Sequence, residues 1–286
     1  MTKRAVIVSS CVLVTILIVV AILFGAVFRV RDIKVVKGDD FYYSVDNSDI
    51  ISAGKLNYKT SIFDIKRDVV KNNIESSYPY ARVKVNIDSI TSVKILLSNR
   101  MPLYYFVQDE IFYILDEDCK ILDTTSNISL VQDLVKVDNA FSVSQDVKPG
   151  TFIRGNYSQV CGNLYKAIYT NATIEILDSE TSTYVEKYLN REDICEIISN
   201  IKFSQVDELD GRVDKLHITT NYGVQINIIE PNNDLNIKIN RAFSALRALQ
   251  KSDRDNSTSL VTTGSINVEY EYDSNGNARI KCDYRA

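Results

Sequence analysis

Arg82-Val83-Lys84-Val85-Asn86-Ile87-Asp88, followed after a polar turn by Val93-Lys94-Ile95-Leu96-Leu97, decides the fold of the first third of the chain. Val83, Val85 and Ile87 alternate strictly with charged or polar residues, which puts apolar side chains on one face of a strand and polar ones on the other. Immediately upstream, Ile65, Val69 and Ile74 recur near helical spacing, with Lys66, Arg67, Lys71 and Asn72 on the opposite face. Ser61-x-x-Asp64 has the spacing of a capping box, with Asp in the place of the commoner Glu or Gln. Tyr78-Pro79 ends the helix, because proline pushes the residue before it out of the helical region. Further back, Ser44 opens a short helix carrying Val45, Ile50 and Ile51. Arg31 to Val36 is extended, with Ile33 and Val35 on one face and Gly38 closing it. The order strand, helix, helix, strand, strand predicts a small α+β module over residues 29–98.

Ahead of this module, Ala5 to Phe28 (AVIVSSCVLVTILIVVAILFGAVF) contains no charged residue. A helix of that length rises about 36 Å, enough for a hydrocarbon core of about 30 Å. In lipid a helix satisfies its own backbone groups, which an open segment cannot do. A cleaved signal peptide is the competing reading, since Lys3 and Arg4 precede the segment. Such peptides have an apolar core of only about 7–15 residues and small residues at the cleavage site. Here the run is longer and ends in Ala26-Val27-Phe28-Arg29, so an uncleaved transmembrane helix at 5–28 is expected. Lys3 and Arg4 favour a cytoplasmic tail at 1–4, although Arg29 and Arg31 flank the other side. With so little ahead of the span, the bulk of the chain is expected outside the cytoplasm, C-terminus included.

Beyond residue 99 the pattern changes to strands and hairpins with a few helices. Ile111 to Leu115 and Cys119 to Leu122 flank the acidic turn Asp116-Glu117-Asp118. Gln159 to Tyr169 reads as a helix with Val160, Leu164 and Ile168 four apart. Asn190 caps a second, with Ile194, Ile197, Ile198 and Ile201 as one stripe. Strands Leu216 to Thr219 and Val224 to Ile228 meet around Tyr222-Gly223. A helix after Pro231 turns Ile239, Phe243, Leu246 and Leu249 inward and Lys238, Arg241 and Arg247 outward. Residues 251–259 (KSDRDNSTS) read as a polar connector. Ser265 to Tyr272 is a late strand in which Ile266, Val268, Tyr270 and Tyr272 alternate with polar residues. Residues 273–286 are left as a C-terminal tail.

Composition narrows the function. Setting aside Lys3 and Arg4 leaves a formal charge of −6 for residues 29–286, which argues against nucleic acid or anionic lipid headgroups as partners. Cys119, Cys161, Cys195 and Cys282 permit three disulfide pairings, yet their wide, irregular spacing suits small core residues better. With no C-x-x-C and one histidine, neither a metal site nor a cofactor is expected. His217 lies in Leu216-His217-Ile218-Thr219, where alternation makes it a solvent-facing strand residue. No Gly-rich phosphate loop or G-x-S-x-G turn is present. Glu208, Asp210 and Asp214 read as an acidic loop more readily than as an acid/base pair. No catalytic residue is assigned.

The order of elements resembles the FtsQ/DivIB family of bacterial division proteins over nearly the whole chain. The family's basic residue followed by I-x-V-x-G is similar to Arg31 to Gly38, with an extra residue between Val35 and Gly38. Its S-x-F-x-(I/L) is similar to Ser61 to Ile65, and its P-x-V-x-x-V-x-V to Pro79 to Val85 with slightly different spacing. Its E-R-x-P resembles Asn99-Arg100-Met101-Pro102, with Asn for Glu. Its L-D-x-x-G-x-(V/L) resembles Leu115 to Leu122, with Cys119 for Gly. The family's L-P-x-(I/L)-x-G is lost at Leu134-Val135-Lys136-Val137, which marks a divergent member.

The resemblance implies an α+β architecture: an N-terminal transmembrane helix, a POTRA-like βααββ module, then a larger β-rich domain with helices over 99–272. It implies a bitopic divisome scaffold at the septum, without enzymatic activity, that recruits FtsB/DivIC- and FtsL-type proteins and regulates the septal peptidoglycan synthase complex. A last strand leaves one row of backbone N–H and C=O groups open to a partner strand. The resemblance places that role on Ser265 to Tyr272 and the turn after it, with Tyr270, Tyr272, Ser274 and Gly276 as contact candidates. The alternatives are another membrane-anchored POTRA protein of export or sporulation, or an envelope enzyme. No array of amphipathic strands of the barrel kind accompanies the module.

Overall fold

The computed structural model describes residues 3–22, 27–39, 41–58, 60–144, 147–153, 155, 157–178, 181–208, 211–257, 262, 264–273 and 277–285. The fold is mixed α+β, in two compact units, Met1–Arg100 and Met101–Ala286.

The first unit opens with helix α1 (Lys3–Ile22), whose side chains from Val12 to Val20 are exposed. The continuous helix expected over 5–28 is seen as far as Ile22, and residues 23–26 lie outside the described residues. Among the described residues no helix is long and apolar enough to cross a membrane. Then follow β1 (Asp32–Lys37), α2 (Asn47–Ala53), α3 (Arg67–Ser77), β2 (Ala81–Ser89) and β3 (Ser92–Asn99). The sheet order is β1-β3-β2, with β1 parallel and β2 antiparallel to β3. Alternation in β2 buries Ala81, Val83 and Val85 against Ile50, Ile74, Val93, Ile95 and Leu97.

Two details differ from the sequence reading. Ser61 caps a single 3-10 turn at Ile62–Asp64, accepting from the Phe63 N–H at 3.4 Å, and α3 begins only at Arg67. That later start changes which residues face inward, so Val70 and Ile74 are buried and Val69 is exposed. Helix α3 ends as expected before Tyr78, whose N–H bonds to the Ile74 carbonyl.

The second unit is built on nine strands. These are β4 (Tyr104–Gln108), β5 (Ile111–Leu115), β6 (Ile121–Thr125), β7 (Val135–Asp138), β10 (Ile198–Glu208), β11 (Gly211–Thr220), β12 (Gln225–Ile229), β13 (Ser265–Tyr272) and β14 (Ala278–Arg285). Their order across the sheet is β14-β13-β12-β11-β10-β7-β4-β5-β6. A separate hairpin pairs β8 (Thr173–Leu177) with β9 (Tyr184–Tyr188). Helices α4 (Ser158–Asn171) and α6 (Leu235–Asn256) lay Leu164, Ile168, Ile239, Phe243 and Leu246 on the inward side chains Phe203, Leu216, Ile218, Ile226 and Val268. The Tyr157 ring stacks on Phe203 at 4.6 Å between centroids. Cys119, Cys161, Cys195 and Cys282 are free thiols, Cys119 and Cys161 buried.

The second unit also departs from the periodic pattern in several places. Helix α5 (Arg191–Ile197) carries the capping box of Asn190 and Asp193, but Ile198 and Ile201 belong to β10. The polar stretch from Lys251 continues α6 to Asn256, held by Arg254, which meets Glu175 at 2.6 Å and lies 4.0 Å from the Tyr184 ring centre. Lys238, assigned outward, is buried. The tail assigned to residues 273–286 contains β14, so β13 is an inner strand.

Candidate partner-binding edge

The free margin of the large sheet is set by how β12, β13 and β14 come together. Gly223, at φ +111°, turns the chain into β12, and a Cβ there would stand 2.8 Å from the Thr262 carbonyl oxygen. Only glycine suits both the left-handed backbone and the close approach. Strand β12 then runs parallel to β13, from Gln225 opposite Ser265 to Ile228 opposite Val268. Strand β14 returns antiparallel along the whole of β13, from Ser265 opposite Arg285 to Tyr272 opposite Ala278. Among the described residues no strand lies beyond β14.

One face of this margin packs inward. Ile266 and Val268 are buried, and Ile280, Cys282 and Tyr284 of β14 close on the same core. Burial pushes the Cys282 thiol up from its usual range. The other face carries charge: Arg279 pairs with Glu271, and Lys281 meets Asp283 at 2.7 Å. The Arg279 hydrogen bond holds the Glu271 carboxyl below its usual range, and the Asp283 hydrogen bond raises Lys281. Charged side chains along an edge discourage indiscriminate pairing while leaving the backbone groups available.

The sequence candidates fare unequally. Tyr270 is committed to the fold: its hydroxyl donates to Asp234 Oδ2 at 2.6 Å, and Lys238 Nζ lies 4.2 Å from its ring centre. That lysine also donates to the carbonyls of Ile229 at 2.7 Å and Glu230 at 3.0 Å, tying α6 to the end of β12. Burial lowers the Lys238 ammonium from its usual range. Tyr272 lies 6.4 Å from Tyr270 between ring centres and is 66% exposed, which leaves it open to a partner. Ser274 and Gly276 lie outside the described residues. Strand β14 lies where the sequence reading has a tail, although Ile280, Cys282 and Tyr284 alternate with Lys281, Asp283 and Arg285 in a strand pattern.

The bond to Asp234, and then burial, push the Tyr270 phenol up to about 12 from a usual 10.0. A folded-state value above the unfolded one gives a contribution fully present below pH 10.0, lost as pH rises through about 12. Tyr270→Phe is therefore expected to remove one late-titrating phenol from the alkaline near-ultraviolet titration of the folded chain. An unchanged alkaline limb would rule out the Asp234 bond.

His217 is half-buried in a cross-strand ladder rather than simply solvent-facing. Ser204 Oγ lies 2.8 Å from His217 Nε2, and His217 Nδ1 lies 2.7 Å from Asn227 Oδ1. Asn227 donates in turn to Asn267 Oδ1 at 2.9 Å, and Asn267 to Ser265 Oγ at 3.2 Å. The serine, histidine and asparagine have the order of a nucleophile, base and orienting group. Here they continue as a chain over four neighbouring strands, which is how a polar sheet face satisfies itself. Asp214, from the acidic group, accepts from Tyr157 at 2.8 Å and Gln205 at 2.9 Å; Asp210 lies outside the described residues. Among the described residues no three metal-ligating side chains converge.

No protein-family model matches the chain. It is similar to "Cell division protein DivIB" of Clostridium tetani, at 27% identity over 243 residues, covering 84% of this chain and 77% of that one. This likeness spans both units and bears out the FtsQ/DivIB resemblance carried by the sequence motifs.

Proposed function

We propose that the chain is a membrane-anchored scaffold of bacterial cell division, acting by position and pairing without chemistry of its own. The charge-free run from Ala5 to Phe28, which begins in α1, is the anchor, and residues 29–286 stand outside the cytoplasm. The βααββ sheet of the first unit is a POTRA module and offers a docking face. The second unit holds partner segments of FtsB/DivIC- and FtsL-type proteins, and through them restrains the septal peptidoglycan synthase complex.

The observation that carries this reading is the sheet margin. Strand β14 is eight residues long and terminates a nine-stranded sheet. An edge of that length is a template for a partner strand. The accepting edge is thus β14, one strand further out than the sequence suggested, with Tyr272 beside it. Likeness to a division protein supplies the process.

The test is capture of FtsL- and FtsB/DivIC-type ectodomains by the full chain in detergent. Tyr272→Ala is expected to weaken capture about ten-fold, as loss of an aromatic interface anchor does. Absence of any capture, together with normal septation after depletion, would remove the division reading.

A further inference from the structure

The path by which the chain enters the first unit fixes which end of that unit faces the apolar segment. Phe28 is the last residue of the charge-free run, and its carbonyl accepts from the Ile62 N–H at 2.7 Å. Its ring meets Phe63 edge-on at 5.1 Å. Arg29 bridges to Ser61, and the Val30 N–H donates to the Thr60 carbonyl at 3.0 Å. The Arg31 and Asp32 N–H groups both reach the Thr91 carbonyl, at 2.8 and 3.2 Å. The loop around Phe63 and the turn between β2 and β3 therefore lie at the same end of β1, where the chain arrives.

That end is apolar in an unusual place. Phe63 is 62% exposed, Ile90 57% and Ile87 36%. They line one shallow groove with Ile62, Ile65 and Arg67. The opposite end of β1 is marked by the Gly38 N–H bonded to Leu97 and by Tyr42 stacked on Tyr80. Six residues of strand put it about 20 Å away.

We propose that Phe63, Ile87 and Ile90 are seated in the interfacial layer of the bilayer that holds the anchor, so that the first unit stands on the membrane by this end. The inference rests on the anchor reading above. Lipid is the occupant because the first charged residue after the apolar run, Arg29, is held at this end by the backbone bonds of Phe28 and Val30 on either side of it. In sequence, the segments that form the groove carry Arg29, Arg31, Lys66 and Arg67 against Asp32, Asp64, Asp68 and Asp88, four charges of each sign. The contact is thus made by apolar burial and does not depend on anionic headgroups.

The chain contains no tryptophan, so a single introduced one reports alone. Phe63→Trp, Ile90→Trp and Tyr42→Trp would each be placed in the full chain, in phosphatidylethanolamine/phosphatidylglycerol vesicles with and without brominated acyl chains. All three should float with the vesicles. The first two should show blue-shifted emission and lose intensity to bromine, at low and high salt alike, while Tyr42→Trp stays solvent-like and unquenched. Ile90→Trp stands outside the Phe28 contact and guards against a shift caused by that ring. Floating chains in which all three report alike would overturn the proposal. A blue shift at Ile90→Trp without bromine quenching would do so too, by showing that protein covers the groove. A chain that does not float at all would instead remove the anchor reading.

Discussion

Arg100→Ala is expected to destabilise the first unit by about 3–5 kcal/mol, the range for breaking one partner out of a buried ion pair. Arg100 Nη2 lies 3.1 Å from Glu75 Oε1, and both side chains are almost fully enclosed, at 2% and 1% exposure. Arg100 Nε also donates to the Ala81 carbonyl at 3.2 Å, and Glu75 Oε1 accepts from the Val83 N–H at 3.0 Å. The pair therefore locks α3 onto β2. Removing the guanidinium leaves a buried carboxylate facing a carbonyl. Hydrogen exchange over residues 81–99 of the full chain, read against urea, would measure the loss in this unit alone. Replacing both partners with apolar residues, Glu75→Leu with Arg100→Met, is expected to recover much of it, because desolvation of the charges is then avoided. A loss below about 1 kcal/mol for Arg100→Ala, in the range of a surface pair, would refute this account.

Asp116→Ala is expected to cost about 3 kcal/mol in the second unit. This carboxylate is fully buried at the turn between β5 and β6, where Oδ1 accepts from the N–H groups of Asp118 at 2.9 Å and Lys120 at 2.8 Å. Alanine would remove the acceptor that these two N–H groups share. The turn already carries strain, since Cys119 sits at φ +60° where the resembling motif has glycine. A hydrogen bond with the Cys161 thiol, and then burial, push the Cys119 thiol up, consistent with a side chain retained for packing. Asp116→Asn keeps one acceptor oxygen and should lose about half as much. Thermal unfolding followed by circular dichroism would compare them, and equal losses for alanine and asparagine would show that packing, not these two bonds, holds the turn.

Much of the fold was legible wherever one face of an element is buried and the other is wet. Strand β2 and helix α4 follow their apolar periods because each has a single covered side. Errors arose where the deciding partner is a backbone atom or a residue far along the chain. Lys238 looked solvent-facing by helical spacing, yet the two carbonyls it satisfies carry no side-chain signature. Glu75 gave no warning that Arg100, 25 residues on, would bury it. Ile198 and Ile201 extended a helical stripe equally well, and a short apolar run does not distinguish helix from strand. At the candidate edge, the pattern reaches β13 but stops one strand short of the sheet's margin at β14, and the contacts that hold Tyr270 to Asp234 and Lys238 come from the start of a helix far along the chain.

The pairing of β13 with β14 along all eight residues has a mechanical corollary. Tension applied lengthwise to the outer strand is shared by every rung of the ladder at once, whereas lifting one tip breaks the rungs singly. An attachment pulling in line with β14 would thus hold against forces that peel a shorter or obliquely loaded ribbon apart.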